Sequence, residues 1–310
     1  MSNKIRNINF DFVGKRKIWY TISLLIIVAG IVSFAIQGFN FGIDFSGGSY
    51  VQLSFYEELP ADGESAKPME VSLEDLRAVI NEHVEQTPTI QYDETNTSYI
   101  IRTELTTEDQ VNELLDAVES EIGPYQVDRN ELVGPTVGAE LVKKAILALV
   151  IACALMLVYI TVRFKFWFGV SAIIALIHDA LIVLAVFSIF QLEISSTFIA
   201  AILTVIGYSI NATIVLFDRV RESTPNFKES EQAALVNDSI SNTLARSINT
   251  TLTTLLTLFA LIIFGGDTTK LFVLAMIVGI VAGLYSSVFI SGSLFHDFSR
   301  IVGKKKKAAK

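Results

Sequence analysis

An acidic side chain deep inside an apolar run is the strongest chemical signal in this sequence. Asp179 sits near the middle of the run Phe168 to Phe190, directly after His178. A carboxylate at that depth is costly unless it is paired, hydrated or protonated. It therefore reads either as a proton-titrating or conformation-sensing site, or as a hydrogen-bonded group that holds two helices together. Adjacent helix positions diverge by about 100°, which predicts that only one of His178 and Asp179 faces the centre of a bundle. In the next apolar run Thr204, Tyr208 and Asn211 recur at i, i+4 and i+7, and in the run after it Arg246, Thr250, Thr253 and Thr257 recur at i, i+4, i+7 and i+11. Such spacing puts each set on one helix face. Two polar stripes on consecutive helices suggest a hydrated path between them, and the alternative is interhelical hydrogen bonding with no transport role. Arg246, at the end of its run, also reads as an interfacial anchor.

Other residue types exclude whole classes of chemistry. A single cysteine, Cys153, cannot form an internal disulfide or a cysteine-rich metal site, and His83, His178 and His296 lie in unrelated segments without zinc spacing. No phosphate-binding loop is present. An intramembrane protease built on Asp179 lacks a second deep carboxylate. The expectation is therefore a non-enzyme with no catalytic residue, metal or cofactor. Lys304 to Lys307 are flanking basic residues, and no concentrated basic face points to nucleic acid.

The elements that must hold these residues are apolar. The 310 residues are 51% hydrophobic with mean hydropathy +0.50, which points to lipid as the solvent. Six runs are long enough to cross a bilayer at about 1.5 Å per residue: Ile18 to Ile36, Ala145 to Val162, Phe168 to Phe190, Thr197 to Phe217, Ile248 to Phe264 and Leu271 to Leu294. The first, preceded by Lys15, Arg16 and Lys17, exceeds the apolar core of a signal peptide and reads as an uncleaved span. Arg163 and Lys165, then Arg219, Arg221 and Lys228, then Arg300 with the terminal lysines fall on the side of the amino terminus, which predicts cytoplasmic termini.

Between the first two runs lies an acidic insert. Residues 37–142 carry 22 acidic and four basic side chains, a net −18, against +10 for the remainder. Period-two patterning predicts strands at Tyr50 to Phe55, Thr89 to Tyr92, Tyr99 to Thr103 and Tyr125 to Leu132, with helices at Ser72 to Glu85 and Thr107 to Glu121. Ser72 with Asp75 and Thr107 with Gln110 supply capping-box-like starts. The order β-α-β-β-α-β fits a ferredoxin-like domain, with Glu57 to Pro68, which includes Pro60 and Gly63, as its loop. The fold expected is a polytopic α-helical membrane protein of six transmembrane helices with a small α+β ferredoxin-like extracytoplasmic domain between the first and second spans. Its parts are a cytoplasmic amino terminus (1–17), a first helix (18–36), the domain (37–142), a five-helix region (143–298) and a basic tail (299–310).

Gly38, Gly42, Gly47 and Gly48 surround Asp44 where the chain leaves the first span, and Gly134, Pro135 and Gly138 mark its return. Read in order, FGIDFSGGS at Phe41 to Ser49, VGPTVGAEL at Val133 to Leu141, ALIHDALIVL at Ala175 to Leu184, IGYSINATIVLFDRVRE at Ile206 to Glu222 and NTLARSINTTLTTLLTLFALIIFGG at Asn242 to Gly266 closely resemble the SecF branch of the bacterial SecD/SecF protein-export family. Besides the polar residues above, the matching motif positions are Asp44, Gly47, Gly48, Gly134, Pro135, Gly138, Gly207, Asp218 and Arg219. The resemblance covers nearly the whole chain and implies a relative of the resistance-nodulation-division transporters. It implies a plasma-membrane protein that acts with SecD and the SecYEG translocon, and with YajC and YidC as further partners, on unfolded preproteins in late, proton-motive-force-dependent export.

One departure matters. The family pattern often has Asn-Asp-Thr where this chain has Asn211-Ala212-Thr213, so the carboxylate associated with proton coupling is missing. Arg246 matches the family's basic position in the fifth span. Two hypotheses follow: protons pass through Asp179 and Arg246 here, or this chain is a structural and substrate-handling half whose partner supplies coupling. The second is favoured and expects Asp179→Asn to leave export nearly intact. A small-molecule or lipid exporter of the same superfamily is the alternative, and the export-specific motifs together with the small insert argue against it.

Overall fold

The computed structural model describes residues 10–58, 67–93, 97–164, 166–227 and 231–308. Pro60 and Gly63 of the loop, and Lys165 and Lys228 of the charge pattern, lie outside them, as do the side chains of Lys304 to Lys307. The chain divides into two compact units, one of residues 41–146 and one of residues 1–40 with 147–310.

The smaller unit opens with a short helix α2 (Ile43–Ser46) that follows the first span, helix α1 (Arg16–Gln37). Strands β1 (Gly48–Phe55), β2 (Thr89–Asp93), β3 (Ser98–Thr103) and β4 (Tyr125–Val133) form one antiparallel sheet in the order β2-β3-β1-β4. Helix α3 (Leu73–Asn81) connects β1 to β2, and helix α4 (Glu108–Glu121) connects β3 to β4. This is the split βαβ arrangement the strand and helix order predicts. Alternation along β1 sends Val51, Leu53 and Phe55 into one core with Leu76, Val79 and Ile80 of α3 and Val111, Leu114 and Val118 of α4. On the opposite face Gln52 Nε2 donates to Ser98 Oγ at 2.7 Å and Ser54 Oγ donates to Asp128 Oδ2 at 2.6 Å, so these buried polar groups are paired. Both helices start at the expected caps: Ser72 Oγ accepts from the Glu74 amide, and Thr107 Oγ1 accepts from the Gln110 amide.

The larger unit is helical. It holds α1, most of helix α5 (Pro135–Arg163), then α6 (Phe166–Ile189), α7 (Ser196–Ser223), α8 (Gln232–Phe264), α9 (Asp267–Tyr285) and α10 (Gly292–Ala308). A π-helical segment (Ser286–Ser291) joins the last two. Among the described residues, six helical stretches are long and apolar enough to cross a membrane. Helix α6 is enclosed by its neighbours on several sides, burying residues from Phe168 to Ser188. Phe168, Phe217, Val236 and Phe295 meet in one cluster, and Phe168 and Phe295 stack at 3.9 Å. The segment before α1 joins this cluster through Phe12 and Val13.

Candidate functional site

Asp179 is fully buried, and its carboxylate is met from three directions. Ser209 Oγ of α7 donates to Oδ2 at 2.6 Å, and Ser286 Oγ, first residue of the π-helical segment, donates to the same oxygen at 2.8 Å. His178 Nδ1 lies 2.9 Å from Oδ1. Nε2 lies 2.8 Å from Ser23 Oγ of α1; with a ring proton on Nδ1, facing the carboxylate, Nε2 is the nitrogen that meets the serine hydroxyl. Tyr285 stacks on the imidazole at 6.0 Å, and its hydroxyl donates to the Trp19 carbonyl of α1 at 2.8 Å. Both His178 and Asp179 are therefore interior, where adjacent positions were expected to split between centre and periphery. The reason is that α6 is enclosed on more than one side: α1 takes the His178 face, while α7 and the π-helical segment take the Asp179 face.

Small residues let the partners come this close. Gly279 and Gly283 of α9 form a GxxxG pair against α7. A Cβ on Gly283 would lie 2.9 Å from Ser209 Cβ and Oγ, and one on Gly279 would lie 2.5 Å from both Val205 methyl groups. Gly30 of α1 likewise faces Ala185 of α6, whose Cβ would lie 2.3 Å from an added one. Ser209, Ser286, Ser23 and Tyr285 were not singled out from the sequence. The signals that point to them are the GxxxG pair and a stripe on α1, Arg16, Tyr20, Ser23, Gly30, Ser33 and Gln37, at steps of three, four and seven.

The second set of polar residues is elsewhere. Ser209 and Asn211 are two positions apart, about 200° around the helix, so Asp179 meets one face of α7 while Asn211 lies on the other. Thr204, Gly207 and Asn211 are exposed on α7, as are Arg246, Thr250, Thr253 and Thr257 on α8. The two helices do meet at Tyr208, whose hydroxyl is 3.1 Å from Thr254 Oγ1. The threonines mostly bond to their own helix: Thr204 to Ala200 O, Thr250 to Arg246 O, Thr253 to Thr250 O and Thr257 to Thr253 O. Asp179 thus lies in the interior of the bundle and Arg246 on an exposed face.

The remaining motif residues have backbone or linking roles. Gly47 and Gly48 adopt φ +76° and +126°, conformations that suit glycine, and a Cβ on Gly48 would lie 2.3 Å from the Thr103 carbonyl oxygen. Gly138 is buried where a Cβ would lie 2.7 Å from the Phe45 carbonyl oxygen. Asp44 occupies the first turn of α2. Gly134 and Pro135 form the step from β4 into α5. Asp218 accepts from Arg221 at 2.7 Å and pairs with Arg163 of α5 at 3.5 Å, tying the ends of α5 and α7, and Arg219 pairs with Glu222 at 3.6 Å. These partly exposed ion pairs fix geometry more than stability, at roughly 0–1 kcal/mol each. Among the described residues no group of three or more His, Cys, Asp or Glu is arranged to hold a metal ion.

Residues 112–300 match the model of the protein export membrane protein SecD/SecF C-terminal family, and residues 32–55 match the SecD/SecF GG motif. The latter includes the Gly47-Gly48 pair that the backbone requires. The chain is 38% identical to the protein translocase subunit SecF of Sebaldella termitidis over 92% of this chain and 90% of that one. It is 39% identical to the SecF subunit of Acidaminococcus fermentans, covering 94% and 98%. It superposes on the crystal structure of SecDF, a translocon-associated membrane protein from Thermus thermophilus, with TM-score 0.82 and 32% identity, over 95% of this chain and 39% of that chain. On these matches the chain belongs to the SecD/SecF family of protein export membrane proteins.

Proposed function

We propose that this chain is the SecF-type subunit of a Sec translocase auxiliary complex. It works with a SecD-type partner and the SecYEG translocon, and with YajC and YidC, to assist proton-motive-force-dependent late translocation and release of unfolded preproteins. The observation that carries this reading is identity of 36–39% to SecF subunits over 92–94% of the chain. The same reading puts it in the bacterial plasma membrane with both termini cytoplasmic, in line with Arg163, Arg219, Arg221 and Arg300 at alternate span ends. It acts on no bond, and the domain between the first two spans faces the exported polypeptide.

Within that role the coupling carboxylate is supplied by the partner. Ala212 cannot titrate, and Asp179 lies against the face of α7 opposite Asn211. The exposed polar surface of Asn211, Arg246 and Thr250 is then the part presented to the partner, and Tyr208 braces α7 on α8 beneath it. The test is the rate of preprotein completion in membrane vesicles with and without this chain, the SecD-type partner present throughout, under an imposed and a collapsed proton gradient. Loss of the gradient-dependent part on removing the chain is the expected result. Equal rates in both conditions reject the export role and favour the small-molecule exporter.

A further inference from the structure

Among the described residues of α1, the fully buried ones are a serine and a glycine, Ser23 and Gly30. A span with Leu24, Leu25, Ile31 and Ile36 exposed leaves much of its apolar surface where lipid solvates it, while Trp19 packs on Phe289 at 4.4 Å and Gly30 on Ala185. Beside that packing, a row of polar contacts runs along one face. At one end Arg16 Nε pairs with Asp297 at 2.9 Å, and the Tyr20 hydroxyl donates to the same carboxylate at 3.3 Å. In the middle Ser23 meets His178, and the Trp19 carbonyl accepts from Tyr285. Toward the other end Ser188 Oγ donates to Ser33 Oγ at 3.0 Å, and Gln37 Nε2 reaches Ser33 Oγ at 2.9 Å and the Ser188 carbonyl at 3.3 Å.

The middle contact differs from the others because it does not end on one partner. His178 passes it to Asp179, and Asp179 passes it to Ser209 of α7 and to Ser286. Ser286 opens a π-helical segment whose wide turns are rich in buried serines: Ser287 Oγ donates to the Leu284 carbonyl and Ser291 Oγ to the Ser287 carbonyl. Segments of this kind are local departures from the α-helical ladder that recur at functional sites, and serine hydroxyls returned to the backbone soften a helix further.

We infer that Ser23, His178, Asp179 and Ser286 form a movable joint that registers the first span to the π-helical segment, with Asp179 as a hydrogen-bond acceptor and not a proton carrier. The inference rests on the functional reading above, and it deepens that reading by naming which internal contact moves. The joint suits reversible motion, since at Ser23 and His178 α1 parts from it by exchanging hydrogen bonds, while Trp19 on Phe289 keeps the neighbouring turn of the span packed on the same segment. Groups facing the pair from packed elements are Ser23 from α1, Ser209 from α7, and Tyr285 with Ser286 from α9 and the π-helical segment. Arg16, Asp297, His296 and Arg300 gather at the amino-terminal end of the same row, with Arg16 about two helical turns from Ser23, and Tyr20 reaches them from between.

The joint is read by disulfide formation at the Ser33–Ser188 contact. With Cys153→Ser removing the native thiol, the S33C/S188C pair is placed in the full chain, produced with its SecD-type partner, and oxidised in membrane vesicles. Under a collapsed gradient the parent pair crosslinks readily, Asp179→Asn crosslinks at the parent rate because an amide with the other imidazole tautomer keeps the bonds, and Asp179→Leu and Ser23→Ala crosslink several-fold more slowly. Under an imposed proton gradient the parent and Asp179→Asn slow several-fold, and Asp179→Leu does not respond. An unchanged rate in Asp179→Leu removes the joint. A parent rate independent of the gradient removes its movement, and loss of the gradient response in Asp179→Asn alone makes Asp179 the proton acceptor instead. Preprotein completion in the same vesicles, with and without the chain, reports separately on the functional reading.

Discussion

Ser209 reaches Asp179 only because the residue across from it has no side chain. A Cβ on Gly283 would press on Ser209 Cβ and Oγ at 2.9 Å, and Cβ, unlike the far end of a long chain, cannot swing aside. Gly283→Ala is therefore expected to push α7 off α9 and lengthen the Ser209 bond, at a cost of about 1–3 kcal/mol. Gly207→Ala, on the same helix as Ser209 but with open space around it, should be neutral or slightly stabilising. Thermal unfolding of the detergent-solubilised chain separates the two, and equal shifts would dismiss the close-packing account. The site was partly legible at this scale. Asp179 announces itself because a carboxylate among apolar residues has few explanations. Its serine partners do not, because a lone Ser in a span satisfies itself on its own backbone as readily as it meets a neighbour. Whether it does so depends on which helices pack together, which periodicity leaves open.

At the scale of elements, hydropathy locates the apolar part of a helix and not its ends. Helix α8 begins at Gln232 although its apolar run begins at Ile248, and α5 begins at Pro135 although its run begins at Ala145. Polar helical turns continue past the membrane because nothing breaks them. The extension of α8 has a use that the sequence did not suggest: Asn237 clamps the strap of residues before α1. Its Oδ1 accepts from the Val13 amide at 3.0 Å, and its Nδ2 donates to Asp11 Oδ1 at 2.8 Å, which also accepts from the Gly14 amide. The Asn237 bond, then the Gly14 bond, hold the Asp11 carboxyl below its ordinary value of 3.8, with Lys15 and Arg16 adding to the effect. A depressed carboxyl contributes stability above the ordinary value and loses it as pH falls through the folded one. Below pH 3.8 the strap should loosen, and Trp19, whose indole donates to the Phe12 carbonyl, reports it. In a Trp167→Phe background the emission of Trp19 should shift in acid, and Asp11→Asn should show little of that shift. Identical titrations in the two proteins would release Asp11 from this role.

Across the whole molecule the charges divide by solvent. The four strands and two helices of the acidic domain were readable because amphipathic patterning and Ser or Thr caps agree there at every step. That same agreement says where the acids go. Val79 and Ile80 of α3 and Val111, Leu114 and Val118 of α4 turn toward the sheet, which turns Glu74, Asp75, Glu108, Asp109, Glu113, Asp116 and Glu119 outward, all of them exposed. Two adjacent helices thus present a predominantly negative field, interrupted by the exposed Arg77 of α3, in a segment with net charge −18, and such a field draws basic stretches of an unfolded chain before any specific contact forms. Attraction between exposed charges is screened over about 8 Å at physiological ionic strength and about 3 Å at 1 M. Crosslinking of a preprotein to this domain should therefore weaken several-fold between low and high salt, and more for a preprotein segment rich in Lys and Arg than for a neutral one of equal length. A yield unchanged by salt for both segments would move the grip from the helices to the sheet face, where the guanidinium groups of Arg102 and Arg129 lie over the buried Tyr50 ring at 5.4 and 5.0 Å and where their stacking on aromatic side chains of the preprotein, less sensitive to salt, would do the holding.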